Sequence, residues 1–143
     1  MPSKLYGNFL LKALNKEVDF DSDTIKVALL TSSYTPDQDA HDYFNDVSAN
    51  EVSGTGYTAG GATLASKTAT YDSASNVIVL DAADTTWSSS TITARYAVIY
   101  DSTGTSSTSA LIGYVDFGSD QSSTSGNFTI TWDSTGIVRI TVA

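Results

Sequence analysis

Apolar residues recur along this chain at two different periods, and the change of period divides it. Leu5, Tyr6, Phe9, Leu10, Ala13 and Leu14 return at spacings of one, three and four, while Asn8, Lys12, Asn15 and Lys16 share the other side. That is the stripe of an amphipathic helix with one face against a core. The spacing predicts a helix over 4–15, with Ser3 behind Pro2 as its N-cap. Gly7 weakens such a helix by up to about 1 kcal/mol relative to alanine. Asp19, Asp21 and Asp23 then form a polar turn.

Beyond that turn the period falls to two. Residues 24–31 place Ile25, Val27 and Leu29 on one face and Lys26 on the other, as a half-buried strand does. Further strands are predicted at 62–71, 76–81, 91–100, 110–117, 127–132 and 136–142. The clearest alternation sets Phe128, Ile130 and Trp132 against Asn127, Thr129 and Thr131. The tetrapeptide Asp-Ser-Thr-Gly occurs at 101–104 and again at 133–136. Asp at the first turn position accepts from the following backbone N–H groups, and Gly at the fourth takes a positive φ. The second copy predicts a tight hairpin joining the last two strands. The Ser/Thr-rich stretches 102–109 and 119–125 read as exposed loops.

Short strands at regular spacing, with turn chemistry between them, predict a mainly β fold: an antiparallel sandwich or barrel. One N-terminal helix (1–16) precedes a β domain (24–143). Residues 32–61 show no sustained period apart from a short helix around 40–46. They include Tyr34, Tyr43, Phe44 and Tyr57, which a disordered linker would lack. This predicts a long ordered loop that packs on something.

Composition narrows the function classes. With 143 residues and 41% hydrophobic content the chain can bury a core as one domain. It has no cysteine, so neither disulfides nor thiolate metal sites hold it. A formal net charge of -9 repels phosphate backbones and anionic lipid, which argues against nucleic-acid and membrane-surface partners. No apolar run approaches the roughly 20 residues of a membrane span, and the run 9–11, broken by Lys12, is too short for a signal core. The expected place of assembly is therefore the cytosol.

Candidate chemistry is thin. Gly54-Thr55-Gly56 with Gly60-Gly61 imitates a phosphate loop, but a strand rather than a helix is predicted to follow, so the amide cluster and dipole are missing. A turn that lets two backbones approach closely fits better. Asp19, Asp21 and Asp23 imitate the start of a calcium loop, yet Thr24 and Leu30 stand where the turn glycine and bidentate glutamate belong. His41 is the chain's one histidine, too few for an imidazole metal site, and no nucleophile turn accompanies it. Pairs among the sixteen acidic residues, such as Asp81 and Asp84, are expected by chance. The reading is a non-enzyme without catalytic, metal or cofactor residues.

A resemblance carries more. Asp23-Thr24-Ile25-Lys26-Val27-Ala28-Leu29-Leu30 resembles the opening strand of small structural proteins of tailed bacteriophages. The resemblance continues through His41-Asp42-Tyr43, Glu51-Val52-Ser53-Gly54-Thr55-Gly56-Tyr57 and Gly60-Gly61. Tyr96-Ala97-Val98-Ile99-Tyr100-Asp101, Leu111-Ile112-Gly113-Tyr114-Val115-Asp116-Phe117 and Phe128-Thr129-Ile130-Thr131-Trp132 complete it. It covers nearly the whole chain in order, although each motif alone is strand-generic. It implies a virion component: a decoration or cement protein on the outside of an HK97-like head, assembled in the bacterial cytoplasm, with the major capsid protein as partner. Dimers or trimers on the particle are expected. A minor tail protein, or a carbohydrate-binding adhesion module using exposed aromatics, are the alternatives. Leu5, Tyr6, Phe9, Tyr34, His41, Tyr43, Phe44 and Tyr57 are the expected partner contacts, with 1–16 as a detachable anchor.

Overall fold

The computed structural model describes residues 3–142. The chain runs through β1 (Ser3–Leu5), α1 (Phe9–Leu14), β2 (Ile25–Leu30), β3 (Ala62–Thr63) and β4 (Thr68–Asp72). It continues through β5 (Val77–Asp81), β6 (Thr85–Asp101), β7 (Leu111–Ile130) and β8 (Val138–Thr141), with short 3-10 turns at Phe44–Asp46, Ser48–Asn50 and Ser106–Thr108. Two antiparallel sheets result, ordered β1-β7-β6-β2-β3 and β4-β5-β8. They pack as an open sandwich; the barrel alternative is excluded.

β2 explains the layering. Every residue of it except Lys26 is buried, so both of its faces must be covered. Ile25, Val27 and Leu29 meet Ala97, Ile99 and Ile112 of the same sheet, Leu80 and Val138 of the small sheet, and Phe9, Val18 and Phe20. Ala28 and Leu30 turn the other way and join Val98, Tyr100 and Leu111 under Tyr34, Phe44 and Val47. The aperiodic segment 32–61 is therefore the roof of the large sheet's second face. The ring of Phe44 stacks on Tyr100 at 4.1 Å between centroids and 10° between planes, a close face-to-face contact. The segment's helical turns fall at Phe44–Asp46, the end of the predicted 40–46 stretch, and at Ser48–Asn50.

The N-terminal helix is shorter than its stripe. Ser3–Leu5 is a strand, with Ser3 opposite Val115 and Leu5 opposite Gly113, so Ser3 caps nothing. The helix begins at Phe9 behind Asn8, which makes no side-chain cap. Tyr6 belongs to the second core and Phe9 to the first. The chain crosses from one side of the sheet to the other between them, which one helical face cannot do. A Cβ on Gly113 would lie 3.0 Å from the Lys4 carbonyl oxygen, so the bare glycine lets β1 come close. Met1, Pro2 and Ala143 lie outside the described residues.

Three further expectations are corrected. Residues 119–125 are not a loop, because β7 runs through them, broken only by irregular register with β6. Serine and threonine satisfy a solvent-facing ladder as well as a loop, which is why composition misled. Residues 62–71 split into β3 and β4, which lie in different sheets. The Asp133 turn forms, with Thr135 N donating to Asp133 Oδ1 at 2.8 Å and Gly136 N to the Asp133 carbonyl at 2.9 Å. It makes no hairpin, because β7 and β8 belong to opposite layers.

Candidate interaction surface

The predicted contact residues divide sharply. Tyr6, Phe9, Tyr34 and Phe44 are core residues, 1%, 3%, 2% and 7% exposed. They hold this fold together and offer no surface to a partner. Leu5, His41, Tyr43 and Tyr57 are half-buried, and three of them have internal work. His41 Nδ1 lies 3.1 Å from the Tyr34 hydroxyl, which lies 2.7 Å from that of Tyr6. Burial pushes Tyr34 up to about 12. Tyr57 donates to Glu51 Oε1 at 2.6 Å and accepts from Leu29 N at 3.0 Å, tying the roof to β2.

The glycine run serves the same closure. A Cβ on Gly54 would stand 2.2 Å from the Thr91 carbonyl oxygen, and one on Gly61 1.9 Å from that of Val27. These are close approaches of backbone to backbone, as the missing helix suggested. The Asp19 turn is capped by its own carboxylates: Asp21 N and Ser22 N donate to Asp19 Oδ1, and Asp19 N to Asp23 Oδ2 at 2.8 Å. Its carbonyls converge on the ammonium of Lys67, which donates to those of Phe20, Asp21 and Asp23. No sequence signal pointed to Lys67, because its partners lie far back along the chain.

What sequence reasoning missed is a groove between α1 and the small sheet. Phe9, Val18, Phe20 and Leu80 form its floor, Leu10 and Leu14 one wall, and Ile78 and Ile140 the other, around about 840 Å³. Leu14 is 82% exposed and Leu10 42%. Tyr71, 56% exposed, pairs with Ile78 on the same sheet face. Lys16, Asp19, Asp21 and Asp23 rim one end. Isolated exposed leucines are ordinary, but a contiguous apolar groove marks a binding surface. The signal was present in the helix stripe, which includes Leu10 and Leu14, although the contacts expected on it were Leu5, Tyr6 and Phe9.

The groove wall is held rigidly. Lys12, 7% exposed, donates to the Asp42 carbonyl at 2.8 Å, lies 3.4 Å from Asp42 Oδ2 and sits 3.4 Å from the centroid of the Tyr43 ring. Tyr43 in turn donates to Glu17 Oε1 at 2.6 Å, and that hydrogen bond pushes the phenol up to about 12. Two charge-assisted contacts on a cation–π platform clamp α1 to the roof. The groove is thus preformed, so little ordering is required when something enters it.

Two features bear on the alternative readings. Trp87 is a core residue, 6% exposed and edge-on to Phe128, and Trp132 is half-buried with its indole N–H on the Ala83 carbonyl. The ring of Trp87 is thus closed to stacking on a sugar. Among the described residues no helix is long and apolar enough to cross a membrane. Comparison with protein families, with curated proteins and with solved structures finds no match.

Proposed function

We propose that the chain is a structural virion protein of a tailed bacteriophage, decorating the outside of an HK97-like head and cementing neighbouring major capsid subunits. The observation that carries this reading is the preformed apolar groove on a rigid, acidic β body. Supporting it is the resemblance of its strand motifs, taken in order, to those of small phage structural proteins.

The work such a protein does is linkage. A ligand that binds the assembled lattice and not the free subunits shifts the equilibrium toward the lattice. Filling the groove buries Leu10 and Leu14, each worth about 1.5–3 kcal/mol on full burial. Leu14, the more exposed of the two, has the more to gain. The doubly covered sheet keeps the groove's two walls in fixed relation, as a cross-brace between subunits requires.

The test is a copy count with localisation, followed by one substitution. Hundreds of copies partitioning with purified heads are expected, and a ring's worth partitioning with tails would move the protein to tail assembly. Leu14→Glu should fold normally, since exposed substitutions alter stability by about 0.5 kcal/mol or less. It should bind expanded heads at least about ten-fold more weakly, a loss of about 1.4 kcal/mol. Undiminished head binding by this variant would remove the groove from the contact.

A further inference from the structure

Residues 121–132 carry no charge, and neither do residues 85–94, in a chain whose formal net charge is -9. Residues 85–94 pair with 121–130 as the far half of the β6–β7 ribbon. β1 covers the outer edge of β7 only at residues 113–115. Among the described residues no strand pairs with that edge beyond this point. Such an edge presents N–H and C=O groups at alternate residues to any strand that approaches, and natural proteins blunt it with lysine, proline or a bulge. Here neither lysine nor proline is present. Register shifts between Trp87 and Ser90 and between Ser90 and Ile92, with Ser89 at a φ of +49° and Ser125 at +45°, interrupt the ribbon and leave residues 128–130 as its regular end. Beside that end lies a recess of about 470 Å³ lined in part by Phe117, Phe128 and Ile130.

We propose that this edge is where two copies of the chain pair, antiparallel across a two-fold axis, fusing two five-stranded sheets into one continuous sheet. Two observations select a second copy over a foreign strand. Two-fold pairing sets an edge against itself, and like charges directly opposite one another repel. On so acidic a body a charge-free strip is what self-pairing needs, whereas a foreign basic partner would be drawn to the carboxylates elsewhere. The solvent face of the ribbon also already builds a hydroxyl ladder, with Thr86 and Thr129 at 2.9 Å and Thr93 and Ser122 at 2.8 Å. Pairing the two edges continues that ladder from one copy into the next at Thr129. Both open edges are consumed in one closed contact, so the assembly stops at a dimer. The strip shares no residue with the α1 groove, and the inference does not depend on the virion reading.

Sedimentation of the full chain up to about 200 µM, where a micromolar contact is saturated, should show a concentration-dependent dimer. Thr129→Asp places a carboxylate against its copy and should weaken that dimer at least about ten-fold. Ser106→Asp, adding the same charge in a distant exposed turn, should leave it unchanged. Because the chain has no cysteine, Thr129→Cys gives one thiol per copy with little disturbance of the strand. A short bismaleimide should cross-link it efficiently and Ser106→Cys poorly. A wild-type chain that sediments as a monomer throughout overturns the proposal, and so does a dimer unaffected by Thr129→Asp. Equal cross-linking from the two cysteine positions also overturns it, and this holds if the aspartate variant fails to fold.

Discussion

Asp101 ends β6 with a carboxyl group only 3% exposed and set against Asp23. Burial first, then the hydrogen bond and charge of Asp23, push this carboxyl from its ordinary 3.8 up to about 7, while the Lys67 charge pulls the other way. Its Oδ2 is buried with no donor in reach. A proton held between this carboxyl and that of Asp23 relieves the repulsion of the two charges. The native state therefore holds a proton that the unfolded chain releases near pH 4, and stability falls as pH rises from about 4 to about 7. Each pH unit in that window is worth 1.36 kcal/mol, so the whole window amounts to about 4 kcal/mol. Above about pH 7 both states are ionised and the contribution of this group is gone.

Asp101→Asn keeps the shape and supplies a permanent N–H donor toward Asp23. Relative to wild type, the variant should gain about 3 kcal/mol between pH 5 and pH 8, because only the wild type loses its bound proton over that interval. Urea unfolding of both proteins at the two pH values measures the difference directly. Groups common to both chains cancel in the comparison. If the stability difference between variant and wild type is the same at pH 5 and pH 8, the buried carboxyl does not hold a proton and the reasoning fails.

The remaining predictions concern the backbone and the N-terminus. Gly61→Ala would drive a Cβ to 1.9 Å from the Val27 carbonyl oxygen at a φ of +78°, and should cost more than about 3 kcal/mol or abolish folding. Gly104→Ala, at φ +87° with nothing within 4 Å, should cost only the left-handed penalty of about 1–2 kcal/mol; equal thermal melting of the two would refute the close-approach argument. Deleting residues 1–16 removes the core side chains Tyr6 and Phe9 and the buried Lys12, with losses of about 3–5 kcal/mol for each large aromatic. The truncated chain should therefore unfold by circular dichroism. A stable truncated β domain would restore the view that this segment is a detachable anchor.

Much of the fold was legible along the chain because strand periodicity and turn chemistry are local. The mainly β class, the strands at β2, β5 and β8, the Asp133 turn, the close approach at Gly54 and Gly61 and the ordered character of 32–61 follow from alternation, glycine placement and aromatic content. Which layer each strand joins did not follow. β7 and β8 look like hairpin partners because they are adjacent in sequence, but pairing is decided by which faces must be buried, and the Asp133 turn carries the chain across the sandwich instead. The helix stripe failed in the same way: Tyr6 and Phe9 share a helical face on paper yet serve cores on opposite sides of the sheet.

The candidate interaction surface shows the same division between local and global information. Amino-acid identity marked Tyr34, Phe44 and Tyr57 as contact-makers, and they are, but toward β2 and β6 of their own chain. Leu10 and Leu14 carry the same periodic signal as Phe9, and only the position of the small sheet decides that one is floor and the others are open wall. Alternation along a strand determines which side chains share a face. Whether a face meets another layer or stays open depends on residues distant in sequence, here on the placement of Ile78 and Ile140 beside α1 and on the short reach of β1 along β7.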